Sequence, residues 1–276
     1  SATLINQATL QSNGGTLTIQ NSRVDNTGGV IQAQTGSTTV ISNSRITGGS
    51  LTTVGSGAIS LANQAALGNL TITAGSTVTV FDNQIGRLDP GTITNNGTLL
   101  LNSVGNGADL RLNNLGGAGE TVTLGGTGVL QMSNSSNNRL LADDNTDVIV
   151  NASTHTIRGS GRIGADSLVF RNQGLVEATA SFGLTIDTTG DLNNLGVATL
   201  INEATLQSNG GTLAIQNSRV DNAGGVIQAQ AGSTTVISNS RIVGGSLTTL
   251  GDGSLNLVNG ATLANVTITA GSTVTV

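Results

Sequence analysis

Apolar and polar residues alternate along most of the chain, in runs of four or five such as TLTIQ (Thr16 to Gln20), TITAGSTVTV (Thr71 to Val80) and SLVFRNQGLVEA (Ser167 to Ala178). A period of two puts successive side chains on opposite faces of an extended strand. No stretch carries the 3.6-residue period of a helix. Between the runs lie Gly, Asn, Ser and Asp, which turn a chain because they tolerate positive φ or bond back to the backbone. Leu17, Ile19, Ile72, Val78 and Val80 are thus expected to point inward, and Thr71, Thr73, Thr77 and Thr79 to face water.

The pattern repeats on two scales. GGVIQAQTGSTTVI from Gly28, GGSLTTVGSGAISL from Gly48 and GNLTITAGSTVTVF from Gly68 stack in register, each start about 20 residues after the last. GTITNNGTLLL from Gly91 continues the series with a slight shift; the register loosens from Asn102 to Asp147 and recovers in RNQGLVEATASFGLTI. On the larger scale residues 2–80 return at 198–276, and with Ser1 aligned to Val197, 64 of 80 positions are identical. Most differences keep the apolar pattern, as in Val54 to Leu250 and Leu70 to Val266. The chain divides into one full long unit, 1–196, and the first part of the next, 197–276, as a continuous rod without a separate globular domain.

Short strands in a period of about 20 residues predict an all-β fold in which each turn pairs with the turns above and below. The expected architecture is a right-handed parallel β-helix (β-solenoid) of about 20 residues per turn, the hand following from the preference of parallel strand connections. At ~4.8 Å between strands, about 14 turns make a rod on the order of 65 Å, and one long unit adds roughly 48 Å. Asn26, Asn43, Asn96 and Asn194, at the turns, are placed to form stacked amide ladders.

Composition narrows the function. Charged residues are 9% and aromatics 1%, with 40 glycines against one proline, Pro90, so the core must be aliphatic. All ten basic residues are arginine and the net charge is −5, which offers no basic face for nucleic acid. The absence of cysteine removes disulfides and thiol chemistry. No apolar run reaches the ~20 residues of a membrane span. Without an initial Met or a signal segment, the chain is expected to be a piece of a longer protein.

The short period, the GSTVTV type of segment, and the phrases GTITNNGTLLLN, THTIRGSGRIGA (Thr154 to Ala165) and RNQGLVEA, together with the long repeat, resemble large bacterial exoproteins with filamentous-haemagglutinin-like or autotransporter-passenger β-helices. That resemblance covers the whole chain. It implies a secreted or cell-surface protein whose rod supports adhesion or forms extracellular fibres.

Candidate chemistry is sparse. Gly159, Gly161 and Gly164 spell GxGxxG, but the following ADSLVF reads as strand, so no helix N-terminus awaits a pyrophosphate. Asp143, Asp144 and Asp147 in DDNTD are the candidate calcium ligands, weighed against a solvated acidic turn without EF-hand spacing. His155, the single histidine, is expected at an exposed position or in a turn. Carboxylates are scattered, so no catalytic or cofactor-binding residue is assigned and the chain is read as a non-enzyme. Expected partners are other copies, end to end or laterally, or a host or neighbour-cell ligand on a lateral face, with no membrane insertion of this segment. Arg23 with Arg219, and Arg45 with Arg241, are candidates for lateral pairing with acids such as Asp25 and Asp221.

Overall fold

The computed structural model describes residues 3–188 and 199–276. Among these the chain has 37 strands and no helix, in three parallel sheets of 13, 12 and 12 strands. Every third strand falls in the same sheet, so three consecutive strands make one turn, and each strand pairs with the equivalent strand of the next turn. This is a parallel β-solenoid of about 13 turns, close to the number expected.

Period-two alternation becomes the wall of the rod. In Val30–Ala33, Ile31 and Ala33 are buried while Val30 and Gln32 are half-exposed, and Ile31 stacks on Leu10 below and Leu51 above. The inward column Ile41, Leu61, Val80, Leu101 and Met132 shows the same stacking over five turns. Ile19, Ile72, Val78 and Val80 point inward as expected, and Thr71, Thr73 and Thr77 are half-exposed. Thr79 departs from expectation: it is outward in register, between Ser60 and Leu100, yet only 8% exposed. Phe170 is the one aromatic in the core, inserted between Ile149 and Leu200.

The two copies of the repeat show where burial comes from. Leu4, in the terminal turn, is 47% exposed, whereas its copy Leu200, with Phe170 on one side and Val220 on the other, is fully buried. Val80 is fully buried and its copy Val276, in the opposite terminal turn, is 99% exposed. The same residue in the same local sequence loses or keeps its burial according to whether a turn is stacked on it, a difference of roughly 1.5–3 kcal/mol for each such side chain. Stability is therefore a nearest-neighbour property of the stack.

Two quantities differ from the sequence expectation. Turn length is not uniform: Arg23 pairs with Arg45, but Arg111 pairs with Leu141 and Thr185 with Ala214, because connections such as 113–120 and 133–137 lengthen the turn without adding a strand. The long unit therefore holds fewer turns than the short period of the sequence implies. Twenty-five strands separate the start of one copy (Thr3–Ile5) from the start of the next (Leu200–Asn202), which is eight turns and one strand, or roughly 40 Å of rod instead of roughly 48 Å.

That extra strand has a geometric result. The strand Thr16–Gln20 lies in the third sheet and pairs with Thr38–Ser42, while its copy Thr212–Gln216 lies in the first sheet, against Leu184–Asp187. Likewise Arg23–Asp25 belongs to the first sheet and its copy Arg219–Asp221 to the second. The second copy is rotated about the rod axis by one face.

Candidate functional site

The outward row of the first sheet collects arginines that are far apart in sequence. Arg23 and Arg45 are direct register neighbours, Ala66 follows, then Arg87 and Arg111. Two residues along the same strands, Asp109 stands beside Arg139, and Arg139 beside Arg162. Like charges one rung apart repel, and buried carboxylates offset part of that. Arg45 reaches past the small Ala66 to Asp89, Nε to Oδ2 at 3.1 Å, with the Asp89 side chain 8% exposed. Asp109, 1% exposed, accepts from Arg139 Nε at 2.6 Å and from Arg111 Nη2 at 2.8 Å. Arg87 pairs with Asp143 and also donates to Gln64 Oε1 at 2.9 Å.

Arg23, Arg45 and Arg87, with the corner residues Asn21, Ser22, Asn43 and Ser44, line a shallow groove of about 470 Å³. The corner is tight because Asn21 and Asn43 take φ of 52° and 45°, and Asn43 Nδ2 donates to Asn21 Oδ1 at 2.8 Å, an exposed amide ladder. The second copy repeats it with Asn239 donating to Asn217 at 3.0 Å. Within the chain, no ion pair joins Arg23, Arg45 or Arg87 to Asp25 among the described residues. Asp25 instead accepts from the Thr27 backbone N–H at 3.0 Å, and bonding to Thr27 keeps its carboxyl below the usual range. In the second copy Arg219 has a buried Nη1 with no hydrogen-bond partner.

A second polar feature lies inside the rod. Asn95 Nδ2 donates to His155 Nε2 at 3.1 Å, His155 Nδ1 donates to Asn151 Oδ1 at 2.8 Å, Asn151 to Asn172 at 2.8 Å, Asn172 to Asn202 at 2.8 Å and Asn202 to Asn222 at 2.7 Å. The direction is fixed because Asn95 Oδ1 already accepts from Gly97 N–H and Asn151 Nδ2 already donates to Leu175 O. All six side chains are at most 1% exposed, and a buried amide left unpaired would cost several kcal/mol. His155 does lie at a turn, its backbone N–H donating to Ala152 O at 3.0 Å, but it is buried there as a link in an amide ladder and not exposed, and burial lowers its pKa from 6.5 to about 4. One partner, Asn151, is four residues away in the sequence, but the other, Asn95, is 60 residues away and leaves no local signal. Asn26 joins the same kind of ladder, receiving from Asn6 at 2.6 Å. Asn96 does not: its carbonyl accepts from the Thr127 backbone N–H at 3.1 Å. Asn194 lies outside the described residues.

The acidic candidates point three ways. Asp143 engages Arg87. Asp144 accepts from the Thr146 hydroxyl at 2.6 Å and backbone at 2.8 Å, which lowers its pKa. Asp147 is fully buried with Oδ1 accepting from Glu120 N–H at 2.9 Å, its Oδ2 lacks a hydrogen-bond partner, and burial raises its pKa. Among the described residues no group of three or more His, Cys, Asp or Glu is arranged to hold a metal ion. Gly159, Gly161 and Gly164 lie in the consecutive strands Thr156–Gly159 and Gly161–Gly164, where a Cβ on Gly159 would stand 1.9 Å from Met132 O. Close stacking, with no helix following, explains those glycines.

Fold and surface together define an all-β parallel solenoid with a groove of arginines and amides on one side and a sealed polar ladder within. No protein-family model matches the chain, and no curated protein matches it. Among solved structures, a TibC-catalysed, hyper-glycosylated fragment of TibA is similar over 100% of both chains, with a TM-score of 0.38 and 15% identity. The solenoid assignment rests on the strand pairing of this chain itself.

Proposed function

We propose that this chain is a structural rod, a stalk or filament segment of a secreted or cell-surface bacterial repeat protein, supporting adhesion or extracellular fibre formation without catalysis of its own. The observation that carries this reading is the junction between the copies. Leu184, Thr185 and Ile186 of the first unit pair with Leu213, Ala214 and Ile215 of the second, and the interior ladder runs through it from Asn172 to Asn202, so adding a unit lengthens the same rod. The surface location rests on the resemblance of the sequence. A non-catalytic role is supported by the burial of the lone histidine in hydrogen bonds and by the commitment of Asp89 and Asp109 to arginines. The arginine-lined groove favours a second reading, in which the lateral face also binds a partner.

Electron microscopy of the purified chain tests the rod. Particles about 60 Å long and far narrower are expected from the stacked turns at ~4.8 Å each, and compact globular particles would refute the reading.

A further inference from the structure

We propose that a tandem array of this unit is a one-third-turn screw, which shows the same lateral charged surface on three sides in succession and offers it to neighbouring rods of the same kind. The proposal deepens the rod reading and rests on it. Its basis is arithmetic set by the fold: among the described residues 25 strands separate equivalent strands of the two copies, the solenoid carries three per turn, and the pairings across the junction show that the remainder of one moves the second copy to the next face. The tight asparagine corner shows the movement directly. It follows the third sheet at Asn21 and Asn43, and the first sheet at Asn217 and Asn239. The interior ladder moves with it, from the end of the first sheet at Asn6 and Asn26 to the end of the second at Asn202 and Asn222. Three units return to the starting face after 25 turns, roughly 120 Å of rod.

The surface carried round by the screw is self-complementary. Arg23 makes no ion pair with an acid among the described residues, while Asp25, on the same face two residues along, is exposed. The copy holds Arg219, half-buried, and Asp221, exposed, at the same spacing along one face. A second rod related by a two-fold axis sets Asp against Arg twice, as an isologous contact requires. Each such exposed pair is weak, about 0–1 kcal/mol, so association grows with the number of units engaged. Because successive units face three directions, long rods gather neighbours on three sides instead of pairing into ribbons.

The screw is tested by disulfide trapping in the full chain. Thr185 and Ala214 face outward and are register neighbours only if the second copy is rotated, with Cα atoms at roughly the 4.8 Å of adjacent strands, inside the disulfide range of about 4.4–6.8 Å. The double variant Thr185→Cys/Ala214→Cys is expected to oxidise as completely as the control Ala214→Cys/Val236→Cys, a neighbour pair within one copy. Failure of the first pair with success of the control overturns the screw while leaving the rod of the microscopy test intact. For the partner, sedimentation at low salt is expected to show association that is lost in Arg23→Asp/Arg219→Asp and restored when Asp25→Arg/Asp221→Arg is added. A chain that stays monomeric at low salt, or a swap that does not restore association, overturns the self-complementary contact.

Discussion

Acid should weaken this rod in part through one buried residue. His155 is neutral in the folded chain because Nε2 accepts from Asn95 and Nδ1 donates to Asn151, and a proton on Nε2 would set two donors against each other in a site closed to water. With the folded pKa at about 4 and the ordinary value at 6.5, the unfolded chain takes up a proton first as pH falls. Nothing is lost above about pH 6.5, where both states are neutral. Between there and about pH 4 stability falls by up to ~1.4 kcal/mol per pH unit, a total of about 3 kcal/mol. Urea unfolding of the wild type and His155→Gln, from pH 7 to pH 4, isolates this contribution from that of the carboxylates. The wild type is expected to lose about 3 kcal/mol more than the variant over that range, and its imidazole resonances should not titrate until the pH nears 4. Equal losses in both proteins, or an imidazole titrating near 6.5, would refute the ladder as the controlling environment.

Two further outcomes follow from the packing. Gly49 has φ +64°, and a Cβ there would lie 2.0 Å from Asn26 O, so Gly49→Ala is expected to cost about 3 kcal/mol in a denaturant melt, and Gly245→Ala in the other copy the same. Gly28→Ala, at φ +77° with open space around it, should cost only about 1 kcal/mol. Asp109 is buried between two arginines, so Asp109→Ala should destabilise by about 3 kcal/mol in the same assay, whereas Arg111→Ala, which leaves Arg139 in place and removes a part-exposed partner, should cost below about 1 kcal/mol.

The strands were legible because a half-buried wall forces alternation: TLTIQ, VIQA and TVTVF could not bury one face otherwise. Turn residues were legible for a related reason, since Asn21, Asn43, Asn63 and Asn83 take the positive φ that few residues tolerate. The inward threonine and the buried histidine were not. Thr39 is fully buried because its hydroxyl meets Ser12 Oγ at 3.0 Å one turn below, and His155 because Asn95 and Asn151 supply both of its bonds. A polar residue is admitted to a core by its partners, and those on other turns, Ser12 for Thr39 and Asn95 for His155, leave no local mark in the sequence. The acidic cluster was misleading for the same reason: adjacency along DDNTD says nothing of Asp143 turning to Arg87 while Asp147 turns inward.

By itself, then, the sequence determined the all-β class, the inward and outward sets, the positions of the corners and the existence of a repeat, because each depends on side-chain period and on residues a few places away. The tertiary structure alone decided how many strands each repeat contributes to the stack. Connections of different length add residues without adding strands, so the long unit becomes eight turns and one strand and not a whole number of turns. That remainder, invisible in two nearly identical stretches of sequence, turns one copy onto a different face from the other.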